Sequence, residues 1–143
     1  MSIDTFLRGE KPHHVAAYFA TTSLSDAETL AEQNYAEATG DGVRMVVPGD
    51  AGRAAFESAT GMDPMDFAGD AMGTEGTITK GLTAGDCPAR DEGGDHELRI
   101  VFAFAEEQNE DVGGLYADGD VIHAYAQCSC GEAYSDKWVA GKK

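Results

Sequence analysis

The chain has 143 residues, 42% of them apolar, with 26 Asp and Glu against 10 Lys and Arg for a formal net charge of −16. That length and apolar share suit one globular domain with its own core, and they exclude a disordered chain. The anionic excess excludes, as a default function, an electrostatic grip on nucleic-acid phosphates or on an anionic membrane surface.

In chain order, residues 3–9 can form a short opening helix closed at Gly9 and followed by Pro12. Val15 to Ala20 is an apolar run of strand length. Ser25 caps a predicted helix with Asp26 and Glu28 in its first turn, running to about Ala38 and stopping at Gly40. Gly42 to Val47 reads as a strand ended by Pro48-Gly49. Asp50 then caps a helix carrying Ala54, Ala55 and Phe56, and Gly61 ends it. Asp63-Pro64 starts another, with Met65, Phe67, Ala68 and Met72 as its apolar residues.

From Gly73 the character changes. Residues 73–95 are rich in Gly, Thr and Asp, with a short strand at Thr77–Thr79. His96 to Phe104 alternates, placing His96, Leu98, Ile100, Phe102 and Phe104 on one face and Glu97, Arg99, Val101 and Ala103 on the other. This is the pattern of a strand with one face in the core. An acidic loop over 106–120 leads to a strand over Val121 to Cys128, and a terminal strand or extended tail carries Tyr134, Trp138 and Val139. The expected fold is therefore α+β. A mixed α/β half over 1–72 would pack on an antiparallel β-rich half over 73–143, with a zinc-knuckle-like Cys-x-Cys-Gly turn, as one domain over 1–143.

The carboxylates are spread along the chain, lysine is confined to Lys11, Lys80, Lys137, Lys142 and Lys143, and Ala and Gly are abundant. A spread acidic surface stays hydrated where salt is high, and at molar salt a screening length of about 3 Å makes its self-repulsion cheap. The composition is that of a halophile's cytosolic protein, and the charge then reports the compartment, not a ligand. The longest uncharged apolar runs, Val15–Ala20 and Ile100–Ala105, fall far short of the ~20 residues of a membrane helix. The N-terminal sequence has neither a hydrophobic signal core nor twin arginines, so a cytoplasmic location is expected.

The chemistry-bearing residues are Cys87, Cys128 and Cys130 with His13, His14, His96 and His123. Three cysteines cannot all pair with one another, which argues against a disulfide framework. Cys128-Ser129-Cys130-Gly131 projects two thiols from one tight bend, with glycine to let the backbone reverse. Zinc takes four tetrahedral ligands, so three cysteines need one histidine. His123 lies an odd number of residues before Cys128, on the opposite face of an extended strand, about 16 Å away. If the strands 96–104 and 121–128 pair antiparallel, His96 falls near Cys128 and Cys130. The loop after Pro88, containing Gly93-Gly94, can return Cys87 to the same end. Cys87, His96, Cys128 and Cys130 are therefore the expected ligands of a structural zinc ion. The competing readings are that the cysteines are small core residues, or that Cys87 with His96 or Cys128 with His123 forms a thiolate–imidazole pair.

Other candidates carry less chemistry. The turn Val47 to Gly52 could receive a phosphate, but it lacks a lysine and Asp50 would repel an anion. Glu107, Asn109 and Asp111 have calcium-loop spacing, but Val112 stands where that loop needs glycine. His13 and His14 follow Pro12 and read as surface residues.

The stretches VVPGDAGRAAFESATGMDPMDFAGDAMGTEG and VFAFAEEQNEDVGGLYADGDVIHAYAQCSCGEAYSDKWV resemble an uncharacterised family of small acidic haloarchaeal proteins, a domain of unknown function. The resemblance spans nearly the whole chain. It implies a haloarchaeal, cytosolic protein and brings no activity, cofactor or catalytic residue. The function expected from the residues is a zinc-stabilised, non-enzymatic module that binds another protein or a macromolecular complex. The alternatives are a small thiol- or metal-dependent enzyme using Cys87 or Cys128, and a nucleic-acid-associated regulator.

Overall fold

The computed structural model describes residues 6, 14–20, 36–39, 42–61, 63–79, 82, 85–88, 96–106, 111 and 114–140. Its frame is one six-stranded antiparallel sheet. The strands are β1 (His14–Ala20), β2 (Ala36–Thr39), β3 (Gly42–Pro48), β6 (Leu98–Glu106), β7 (Val121–Cys128) and β8 (Ala133–Val139), in the order β2-β3-β1-β6-β7-β8. Two-residue strands β4 (Thr77–Ile78) and β5 (Gly85–Asp86) pair separately. The helices are α1 (Gly49–Thr60), α2 (Pro64–Ala71) and the single turn α3 (Leu115–Asp118). Among the described residues no helix is long and apolar enough to cross a membrane.

This corrects the expectation of a helical or mixed first half packed on a β half. The sheet is built from both halves, and β1 is the reason. It pairs with β3 from its own half, Val15 opposite Val47, and with β6 from the other, Val15 opposite Phe104. A strand that is apolar along its whole length is stable only where both faces are covered, and β1 is buried from Val15 to Ala20. The helix expected up to Ala38 is corrected at its end. Ala36–Thr39 is an edge strand, with Ala36 opposite Met45 and Thr39 opposite Gly42. Ala and Glu are good helix formers, but the backbone groups of β3 supply a ladder that outweighs propensity. The start of that helix and all of the opening helix except Phe6 lie outside the described residues; Phe6 is helical and fully buried.

α1 and α2 cover one face of the sheet. α1 rests on β1 and β3, and α2 reaches β7 and β8. Phe56 on α1 is the hub of this layer, with ring centroids 5.9 Å from Phe19, 5.6 Å from Phe67 and 5.2 Å from Phe102. α2 begins as its sequence predicts: Pro64 occupies the first turn, and the Asp63 carboxylate accepts the N–H groups of Met65 at 2.8 Å and Asp66 at 3.3 Å. Its buried residues are Pro64, Phe67, Ala68 and Ala71, while the apolar Met65 and Met72 are 47% and 64% exposed. Asp50 lies inside α1, not before it as a cap.

Gly52 shows where close approach overrides propensity. Gly→Ala inside a helix ordinarily gains roughly 0.5–1 kcal/mol, but a Cβ on Gly52 would sit 2.0 Å from Val15 Cγ2. Gly52→Ala is therefore expected to destabilise the protein by about 1–3 kcal/mol, because α1 must lift from β1. A urea melt checks this, and a stabilised variant would mean that α1 does not press on β1.

The opposite face of the sheet carries a second core. Ala16, Tyr18, Val101, Ala103, Ile122, Ala124, Ala126, Cys128, Tyr134 and Trp138 pack with Phe6, Ile78, Leu82 and Cys87. β6 therefore differs from expectation. Ile100 and Phe102 are buried on one face as predicted, which is the face the helices cover, and Phe104 on that face is half-buried; Val101 and Ala103 are fully buried on the other side. Leu82 anchors this second layer in a left-handed conformation, φ +64°, with its side chain fully buried and its N–H donating to the Thr79 carbonyl at 2.9 Å. Burial holds a leucine in a region that costs it about 1–3 kcal/mol.

Candidate metal centre

The geometry of the cluster begins with an irregularity in β6. Leu98 stands opposite Cys128 and Ile100 opposite Gln127, so two steps on β6 answer one step on β7 and Arg99 is an extra residue. A β-bulge of this kind turns the residues before it to the other face. Ile100 points to the helix layer, whereas Leu98 packs with Cys128 in the second core. The alternation pattern placed His96 on the Ile100 face. The bulge carries it, with Leu98, to the Cys128 face, where His96 Nδ1 lies 3.5 Å from Cys128 Sγ. Backbone bonds continue the pairing past the bulge: Ser129 N–H donates to the Glu97 carbonyl at 2.7 Å, and Glu97 N–H donates to Ser129 Oγ at 3.0 Å.

Two further thiols arrive from different elements. Residues 129–132 join β7 to β8, with Gly131 N–H donating to the Cys128 carbonyl and Cys128 N–H to the Glu132 carbonyl, both at 2.9 Å. Gly131 has φ +97°, a conformation in which a side chain is strained. Cys130 projects from this turn and is exposed. Cys87 directly follows β5 and is buried, with its Sγ 3.7 Å from Cys130 Sγ. One ligating atom from each of Cys87, His96, Cys128 and Cys130 lies within 4.8 Å of the other three.

These separations can be compared with a metal's demands. Zinc–sulfur bonds of about 2.3 Å and zinc–nitrogen bonds of about 2.0–2.1 Å in a tetrahedron require about 3.8 Å between sulfurs and about 3.6 Å between sulfur and nitrogen. The Cys87–Cys130 and Cys128–His96 distances, 3.7 and 3.5 Å, are those of such edges. Three soft sulfurs and an imidazole nitrogen are a donor set that a thiophilic metal prefers. These side chains could hold a metal ion.

The surroundings lower the Cys128 thiol. Burial pushes the Cys128 thiol up, but the Cys130 backbone N–H and the side chains of Cys130, Cys87 and Ser129 hydrogen-bond to its sulfur and together hold it below the usual thiol range. Tyr134, beneath the cluster, is pushed the other way. Its phenol is raised first by burial and then by negative charge on Cys128, Cys87, Asp86 and Cys130, so it remains protonated. Sequence reasoning missed both Ser129 and Tyr134, because neither residue type marks a metal neighbourhood by spacing.

The other candidates stand apart from this cluster. His123 is on the helix face, with Nε2 2.8 Å from Glu106 Oε2 and its ring stacked on Phe104 at 5.2 Å. It does not meet Cys128, so that thiolate–imidazole pair is absent. His14 opens β1 opposite Pro48, and His13 lies outside the described residues. In the turn 47–52, β3 runs into α1 and Gly52 is pressed against Val15, leaving its inner side no space for a phosphate. Glu107 and Asn109 are outside the described residues, and Asp111 is exposed. A cavity of about 570 Å³, unanticipated by the sequence, opens beside Met72 over Tyr125, Ser135 and Lys137 on the helix face.

Residues 36–141 match the model of a family of unknown function (DUF5807), and the chain belongs to that family. No curated protein and no solved structure matches it.

Proposed function

We propose that the protein is a zinc-stabilised interaction module in which Cys87, His96, Cys128 and Cys130 ligate one structural zinc ion. The observation that carries this reading is the pair of tetrahedral edges, 3.7 Å between two sulfurs and 3.5 Å between sulfur and imidazole nitrogen, drawn from separate segments of the chain. Four protein ligands complete a tetrahedron and leave no open position for substrate, which is the arrangement of a structural site. Its work would be mechanical. β4 and β5 have two residues each, too few to hold as an isolated hairpin. A metal bridging Cys87 to the β7–β8 turn fastens them over the sheet. A protein or macromolecular complex is the partner class in this reading.

A second reading rests on one contact. Cys128 has a lowered thiol and an imidazole nitrogen 3.5 Å away, the elements of a nucleophilic pair. Metal analysis of untagged protein, followed by iodoacetamide near neutral pH, separates the two. The structural reading expects one zinc per chain and slow alkylation of all three thiols until a chelator is added. Protein that is purified folded and without zinc, and whose Cys128 is rapidly alkylated with no chelator added, would replace it with the enzyme reading.

The charge of −16 supports a haloarchaeal, cytosolic setting. Between molar and ~0.1 M KCl the screening length grows from about 3 Å to about 10 Å, so carboxylates that ignored one another begin to repel. The thermal midpoint by circular dichroism should therefore fall steeply at the lower salt. An unchanged melt would remove the halophilic assignment.

A further inference from the structure

We propose that Cys87 and Cys130 are a peroxide-sensitive pair whose oxidation to a disulfide ejects the metal. This deepens the zinc reading and rests on it for the ejection, while disulfide formation itself rests on the thiol geometry alone. Three facts select the pair. Cys130 is exposed while Cys87 and Cys128 are buried, so Cys130 is the sulfur a small hydroperoxide reaches first. Cys87 Sγ is already 3.7 Å from it, and closing to about 2.05 Å requires a side-chain movement of under ~2 Å. Cys128 Sγ also lies within 4.8 Å of both sulfurs, but it contacts His96 at 3.5 Å, and its carbonyl and N–H fix the turn through bonds to Gly131 and Glu132. A bridge between Cys128 and Cys130 would have to deform that turn.

The chemistry balances with hydrogen peroxide as oxidant. The Cys130 thiolate attacks one peroxide oxygen, the O–O bond breaks, and the departing hydroxide takes a proton to become water. Cys130 is then a sulfenic acid. The Cys87 thiolate attacks the Cys130 sulfur, the S–S bond forms, and the sulfenic hydroxyl leaves with a proton as a second water. Two thiolates have lost two electrons, and one peroxide has accepted them. Zinc keeps its charge throughout. It loses two of four ligands, and Cys128 with His96 alone does not hold it.

The test uses the purified full-length protein at molar salt, treated with stoichiometric hydrogen peroxide. Zinc release is read with a chromogenic chelator, and bridges by mass spectrometry of peptides without reduction. The expected result is a cross-link between the Cys87 and Cys130 peptides with a mass loss of about 2 Da. Zinc should be released mole for mole with the cross-link and rebound after dithiothreitol. A Cys128–Cys130 bridge, or sulfinic acid at Cys130 without a bridge, overturns the proposal even if zinc is present. Protein that contains no zinc but still forms the Cys87–Cys130 bridge keeps the pair and defeats the zinc reading instead. Cys87→Ser should show stable sulfenic acid at Cys130. If that variant does not fold, trapping with dimedone in the zinc-loaded wild-type protein replaces it: the sulfenic adduct should form at Cys130, and an adduct at Cys87 or Cys128 instead overturns the proposal.

Discussion

Removing the metal is expected to unfasten the β4–β5 layer and to lower the unfolding midpoint more than any single core substitution. Binding energy at a structural zinc site is folding energy, on the order of 10 kcal/mol in small zinc domains at neutral pH. Here that energy would be concentrated where intrinsic stability is least. β4 and β5 share only the pairs Thr77–Asp86 and Ile78–Gly85, and the Ile78 N–H reaches the sheet through the Asp136 carboxylate at 3.1 Å. Ile78 and Leu82 are fully buried beneath this layer and would meet water once it lifts. Hydrogen exchange should therefore accelerate at Ile78 and Leu82 on chelation while β1 and β3 stay protected. Cys130→Ser should lose zinc and on the order of 5 kcal/mol of stability. His123→Ala should keep its zinc, since its imidazole engages Glu106 on the other face. A chelator that leaves the midpoint and the exchange pattern unchanged would show that the cluster carries no structural metal.

Phe102→Ala is expected to cost about 3–5 kcal/mol, the range for emptying a large site in a close-packed core. Phe102 is 1% exposed, and its ring meets Phe56 edge-on at 5.2 Å. The cavity would lie under α1, whose Phe56 also holds Phe19 and Phe67, so the layer cannot close without moving the helix. Phe104→Ala is the internal control. Phe104 is half-buried at the edge of the same core, stacked on His123 and Tyr125, and solvent can fill its place. Its cost should be clearly smaller. Equal costs by urea denaturation would mean that the helix layer does not seal the β6 face as described.

The two effects draw on different parts of the sequence. The apolar runs of β1, β3, β6 and β7 were legible because each carries its own period or length. The Asp63-Pro64 helix start was legible because capping is a local bond between neighbours. The convergence of Cys87, His96, Cys128 and Cys130 was also within reach, because chain reversal at Gly131 and antiparallel pairing of β6 with β7 constrain where four such residues can lie. What the residues did not announce is what they lie against. The Ala-Glu segment at 36–39 is a strand only because β3 offers it an edge.

Tertiary structure alone decided which faces are covered. Val101 and Ala103 alternate with Phe102 and so read as the outer side of a half-buried strand, yet the layer bearing Phe6, Ile78 and Leu82 lies over them. Met65 and Met72 follow helical spacing, yet the sheet surface available to α2 is filled by Phe67, Ala68 and Ala71. The bulge at Arg99 is the sharpest case. One inserted residue reverses the facing of everything before it and puts His96 beside Cys128, although nothing in the sequence around Arg99 distinguishes it from a regular strand. Composition, capping, strand length and the choice of four donor residues are local or combinatorial properties, and a chain carries them unfolded. Register, bulge position and two-sided burial are properties of pairs of segments far apart in the chain, and they exist only once β1 has joined β6.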